Sequence, residues 1–178
     1  MERGGYAFEA YRQDGATGMH IGRLSQSAPV GNYDCAANEW IHFNEDWSLA
    51  GCTLAEPEAL DAFEIPAGTW VMPRSDRLIV ALPRDTPCNG YVCGGSGGPK
   101  GTQTVFFQDG ALKSFFPPTD TSVGEVICKA SLLAPIELNR DGSLARCVAA
   151  RDARIGDVAI ERNDTVMTDA EGRLRVLD

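Results

Sequence analysis

One phrase of about 30 residues recurs along this chain, and nothing else in the sequence restricts its fold as strongly. The clearest copy runs Pro135-Ile136-Glu137-Leu138-Asn139-Arg140-Asp141-Gly142-Ser143-Leu144, followed by Asp152 and Ile155-Gly156. Another runs Thr104-Val105-Phe106-Phe107-Gln108-Asp109-Gly110-Ala111-Leu112, followed by Asp120 and Val123-Gly124. Looser copies begin at Trp40, Trp70 and Thr165. The closing leucines Leu49, Leu78, Leu112, Leu144 and Leu174 stand 29, 34, 32 and 30 residues apart. A unit this short cannot bury an apolar face alone, so copies must stack into one shared core. The 178 residues are therefore read as a single all-β domain of about five units. The units fall near 35–64, 65–92, 93–127, 128–159 and 160–178, after a degenerate opening segment 1–34.

Each unit reads as three short strands. The first places apolar residues two apart, as in Ile41/Phe43, Val105/Phe107 and Ile136/Leu138, which is the period of a half-buried strand. A reversal rich in Asn, Asp and Gly follows, as in Gln108-Asp109-Gly110 and Asn139-Arg140-Asp141-Gly142. There Gly supplies positive φ and Asp caps its own turn, which suits a hairpin with a bulge. Return strands come next, near 49–54, 78–82, 112–116 and 144–149. An acidic residue then marks a corner: Glu56, Asp85, Asp120 or Asp152. A third strand, at 60–65, 123–128 or 155–160, leads into the next unit. This turn chemistry favours stacked antiparallel hairpins, and the alternative is a β-helix with one unit per turn. Pro73 replaces the second apolar residue of strand one in the second full unit, which predicts a weak or edge strand. The same unit carries Gly94-Gly95-Ser96-Gly97-Gly98-Pro99-Lys100-Gly101, the composition of a flexible loop.

The cysteines follow the unit. Two slots, the end of strand three and the position three after the marker leucine, hold Cys35/Cys52, Ile65/Ala81, Cys93/Phe115, Cys128/Cys147 and Ile160/Leu177. Both slots are Cys in two units and neither is in two others. This predicts disulfides Cys35–Cys52 and Cys128–Cys147, with Cys88–Cys93 as the third. A bridge needs Cα atoms about 4.4–6.8 Å apart. A flat meander would hold the two slots too far apart, so strand three must curl back over its hairpin. Such bonds place the protein in the periplasm or outside the cell. The alternative is a reduced cytoplasmic protein in which Cys packs as a small hydrophobe. Met1 to Gly5 carries no signal-peptide core.

Charge and composition exclude several functions. A net charge of −9 disfavours nucleic acid, whose phosphates require clustered Lys and Arg. No apolar run approaches the ~20 residues that span a bilayer as a helix. A Ser–His–Asp triad could draw only on His20 or His42, and the Gly-x-Ser-x-Gly elbow is missing. Pro99 and Gly101 flank Lys100 where a phosphate loop needs Gly and Ser or Thr. No Cys-x-x-Cys pair exists for zinc, and no metal or cofactor is expected. The recurring corner acids could supply hydrolytic carboxylates or a calcium ladder, but residues that recur with a turn are better read as turn residues.

The best surface candidates are the residues that alternate with the inward positions of strand one: Trp40, His42, Trp70, Met72 and Phe106. Stacked in register they would form an aromatic stripe able to bind a ligand, unless another layer covers it. The strand, Asp-Gly turn, Leu-containing return strand and Cys-led joint of Cys35–Glu56 and Cys128–Asp152 resemble repeats of bacterial exported proteins. They are loosely similar to MORN-type hairpin repeats, although the Tyr-x-Gly and closing Gly-x-Gly of that family are missing. The resemblance spans about residues 29–178. It implies an envelope-associated or secreted β-repeat protein and carries over no catalytic residue. The expectation is a non-enzymatic binding or structural module with a protein or glycan partner. A carboxylate-dependent hydrolase of polysaccharide and a self-assembling protein are the alternatives.

Overall fold

Antiparallel pairing joins all the strands of the computed structural model, which describes residues 1–60 and 63–177. Thirteen strands form one open sheet, and five separate two-stranded hairpins branch from it. The sheet is a meander. After a short edge strand Glu2–Arg3, its order is Tyr6–Gln13, His20–Leu24, Trp40–Phe43, Leu49–Thr53, Trp70–Pro73 and Arg77–Ala81. It continues through Gln103–Phe107, Leu112–Phe115, Ile136–Leu138, Leu144–Val148, Thr165–Thr168 and Leu174–Leu177. The pairing excludes the β-helix alternative, whose turns stack in parallel, and supports hairpins.

What the sequence presents as a third strand is a hairpin in its own right. Thr121–Val123 pairs with Val126–Cys128 and Ala153–Ile155 with Val158–Ile160. Gly124 and Gly156 open the two-residue turns at φ of 58° and 57°, the conformation a tight hairpin requires and a strand cannot contain. Three similar arms are Ala28–Val30/Tyr33–Cys35, Glu58–Leu60/Phe63–Ile65 and Thr86–Cys88/Tyr91–Cys93. Positions 61 and 62 of the expected strand 60–65 lie outside the described residues. The opening segment is also fuller than its sequence suggests. Tyr6–Gln13 and His20–Leu24 form a sheet hairpin that pairs onward with Trp40–Phe43.

The Asn/Asp/Gly reversals share one geometry. The N–H groups of Asn44, Phe107, Asn139 and Asp169 donate to the carbonyls of Ser48, Ala111, Ser143 and Arg173 at 2.8–2.9 Å. The fourth loop residue has positive φ in each: Trp47, Gly110, Gly142 and Gly172. Asp46, Asp109 and Asp141 each accept the N–H two residues onward, as Asp does when it closes its own turn. The register then slips by one residue at Ala50, Lys113 and Ala145, so the return strands carry a bulge.

The arms fold over one face of the sheet. Ile41, Val71, Val80, Phe106, Phe115 and Ile136 of the sheet share one cluster with Val30, Ile65, Val123 and Ile160 of the arms. The corner acids hold the arm bases. Asp85, Asp120 and Asp152 accept the N–H groups of Gly95, Ala130 and Arg162, each ten residues onward, at 3.0, 2.8 and 2.7 Å. The residue ten beyond Glu56 is Pro66, which has no N–H to offer. The acids thus recur because the arms do.

Two disulfides staple arms to the sheet. Cys35–Cys52 and Cys128–Cys147 have Cα separations of 5.8 and 5.7 Å, as the paired slots predict. The third expected bond is absent: Cys88 and Cys93 are buried free thiols. Both belong to one arm, where Cys88 stands opposite Tyr91 and Cys93 opposite Thr86. Such a diagonal places Cα atoms ~7–8 Å apart, beyond easy bridging. The Cys88 thiol donates to the Thr86 carbonyl at 3.5 Å, and its proximity, followed by burial, raises the pKa of Cys93.

Two further expectations change. Trp70–Pro73 is an interior strand rather than an edge, although its pairing on one side is short. Only Trp70 and Val71 pair with Leu49–Thr53, so Pro73 lies past the ladder that would miss its N–H. The glycine-rich segment is tied down: the N–H of Gly97 donates to the Leu82 carbonyl and that of Thr102 to the Ser96 hydroxyl, at 2.8 and 2.7 Å.

Candidate functional site

The arms cover the inner face, so surface chemistry falls to the outer face of the sheet. Bulges and register decide which side chains reach it. Of the five residues expected there, Trp40 is 46% exposed and stands opposite Arg23. His42 and Met72 are half-buried on the same face. Trp70 shares it but is 1% exposed, with His42 edge-on at a ring separation of 5.1 Å. A Cβ on Gly51 would come within 2.9 Å of the Trp70 ring, so glycine leaves the seat into which the indole packs. The indole N–H is buried without an acceptor. Burial first, and Arg12 second, lower the pKa of His42 and keep its ring neutral.

Phe106 is the residue that sequence reasoning misplaced. It is fully buried on the inner face, opposite Leu78 and Leu112. Val105 and Phe107, expected inside, face outward. Thr104-Val105-Phe106-Phe107 is apolar at both parities, so alternation alone cannot choose a face. The stripe therefore breaks at this unit. Trp40, His42, Trp70 and Met72 share a face, and Phe106 does not join them.

The exchange builds a site that the sequence did not announce. Phe107 lines an open concavity of about 740 Å³ on the outer face. Ile79, Val105 and Ser114 form its floor, in register on three neighbouring strands, with Glu137 opposite Ser114 on the next. Lys113 Nζ lies 5.2 Å from the centroid of the Phe107 ring and the Arg140 guanidinium 5.1 Å. Each contact falls in the cation–π range. The bulge puts Lys113 here, because an inserted residue turns its side chain out of strict alternation. Arg140 comes from the reversal of the next hairpin and lies 3.1 Å from Asp109. Arg77 stands opposite Phe107 and contacts Asp76 at 3.6 Å. No repeated position in the sequence marks these cations: Arg77 stands one residue before its marker leucine, Lys113 one after and Arg140 four before, so only register and the bulge bring them together.

The remaining polar groups serve structure. His20 packs on Trp47 with ring centroids 4.0 Å apart. Its Nε2 lies 3.2 Å from the Glu45 carbonyl, which only accepts, so Nε2 carries the proton. Nδ1 then accepts from the Tyr11 hydroxyl at 2.8 Å. Both ring nitrogens of His20 are thus engaged within the fold. Asp46 and Asp141 are held below the usual carboxylate range by the hydroxyl and then the N–H of Ser48 and Ser143. Asp169 falls to about 2 through the Arg173 N–H and the side chains of Arg175 and Arg173.

Fold and site together define a class: an open antiparallel sheet, stapled hairpin arms on one face, and a cation-flanked aromatic concavity on the other. Comparison with protein-family models, curated proteins and solved structures finds no match to this chain.

Proposed function

We propose that this protein is a non-catalytic binding module that works outside the cytoplasm and receives an extended polymer across the outer face of its sheet. The observation that carries the reading is the concavity around Phe107, floored by Ile79 and Val105 and rimmed by Lys113, Arg140 and Glu137. It is open rather than deep, and its floor crosses neighbouring strands, which suits a chain laid over the sheet more than a small molecule enclosed within it. The two disulfides support an oxidising compartment. Among the described residues, no helix is long and apolar enough to cross a membrane.

Binding is preferred over hydrolysis on chemical grounds. A glycosidase needs one carboxyl raised toward neutrality as a proton donor. The displaced carboxylates Asp46, Asp141 and Asp169 are all lowered, and all three sit in hairpin turns. The test is retention on a panel of immobilised extracellular polymers, polysaccharide and polypeptide, for the native protein, Phe107→Ala and an arm-face control, Glu58→Ala. Retention that Phe107→Ala abolishes and Glu58→Ala preserves is the expected result. Retention unchanged by Phe107→Ala, or lost equally in the control, refutes the outer face as the binding surface.

A further inference from the structure

Charge is segregated between the two faces. The chain holds 25 acidic against 16 basic residues. The arm strands follow that bias, with Asp34, Glu58 and Glu64 against Arg154. The outer face of the sheet inverts it. Alternation and register turn Arg12, Arg23, Arg77, Arg146 and Arg175 outward, and the bulge adds Lys113. Three carboxylates of the sheet strands, Glu2, Glu9 and Glu137, join them there against six cations, and Glu9 is paired with Arg23 at 2.9 Å. A positive face on an acidic protein favours an anionic ligand at that face and repels it elsewhere.

The concavity adds a second requirement. Glu137 stands between Ser114 and Arg146 in one row across the sheet. A uniformly charged polyanion would meet this carboxylate at every approach to Lys113 and Arg140. A ligand that carries hydroxyls beside its carboxylates avoids the conflict, because a hydroxyl donates to Glu137 while a neighbouring carboxylate accepts from the cations. The row Ile79–Val105–Ser114–Glu137–Arg146 crosses five strands, about 19 Å at the usual strand spacing. That length admits several saccharide units.

Resting on the binding surface proposed above, we infer that the ligand is a carboxylated polysaccharide, with its carboxylates on Lys113 and Arg140 and a hydroxyl on Glu137. The test measures affinity for three soluble probes: polygalacturonate, the same polymer with its carboxyls reduced to alcohols, and poly-L-glutamate. Polygalacturonate is expected to bind best and to weaken with added salt. Lys113→Gln and Arg140→Gln, both at sites outside the core, should each weaken it about tenfold. Equal binding of the carboxyl-reduced polymer overturns the requirement for charge. Equal binding of poly-L-glutamate overturns the requirement for sugar hydroxyls. Binding of none of the three overturns the ligand class. In each of these cases the outer-face reading stands only if Phe107→Ala still abolishes retention of another polymer in the panel, so the two failures are distinguishable. A matched urea midpoint for each variant separates lost contact from lost fold.

Discussion

Replacing both Cys35 and Cys52 by Ala removes one staple between arm and sheet. The bond closes a loop of 17 residues, and its partner Cys128–Cys147 closes one of 19. Loop-closure entropy for these lengths gives about 3 kcal/mol of stabilisation per bond at 25 °C. For a chain of this size that equals a fall in Tm of about 6–12 °C. The loops do not overlap in sequence, so the quadruple variant should lose about 6 kcal/mol. The assay is urea unfolding at fixed pH for the native protein, each double variant, the quadruple variant and the reduced native protein. Reduction preserves the volume of the buried sulfurs, whereas Ala removes it and adds a packing loss. The reduced protein should therefore show the chain-entropy cost almost alone. If the reduced and oxidised proteins unfold at the same urea concentration, the bonds do not constrain the unfolded chain and the entropic reasoning fails. If one double variant accounts for the whole loss, the two staples do not act independently.

Two adjacent phenylalanines test the register. Phe106→Ala, at a fully buried site, should cost about 3–5 kcal/mol in urea unfolding, and Phe107→Ala less than about 1; the reverse ranking would mean the strand is flipped. Asp169 has its pKa depressed to about 2 by the Arg173 N–H and the Arg175 and Arg173 side chains. Its stabilisation is present above the ordinary carboxylate value and is lost as pH falls from about 4 through 2. Amide exchange of Thr165–Thr168 and Leu174–Leu177 should accelerate over that window in the native protein but show no such window in Asp169→Asn. An identical pH profile in both refutes the assignment.

The sequence was most legible where one residue type answers one backbone demand. Asp109-Gly110 and Asp141-Gly142 marked their reversals because positive φ and a self-capped turn leave few alternatives. The paired slots found both disulfides because a bond fixes two positions at once. Legibility failed where apolar residues continue through a change of direction. Val123 to Cys128 holds apolar residues on both sides of Gly124-Glu125, so the arm read as one strand. It failed again at Val105 to Phe107, where either parity buries an aromatic ring. The Cys88–Cys93 pair was drawn from elimination among six cysteines, and the diagonal placement of the two residues within one arm answers it.

By itself the sequence determined the all-β class, the spacing of the sheet hairpins and the two bonds that staple arms to the sheet, because turn chemistry and slot pairing are local or self-matching constraints. The tertiary structure decided which face each side chain takes. A strand has a period of two, so a single bulge or a one-residue shift exchanges core for surface, and only cross-strand pairing resolves it. That pairing sent Phe106 inward against Leu78 and turned Phe107 and Lys113 out beside Arg140. The candidate site is a consequence of that choice, made by the packing of neighbouring strands and not by any motif along the chain.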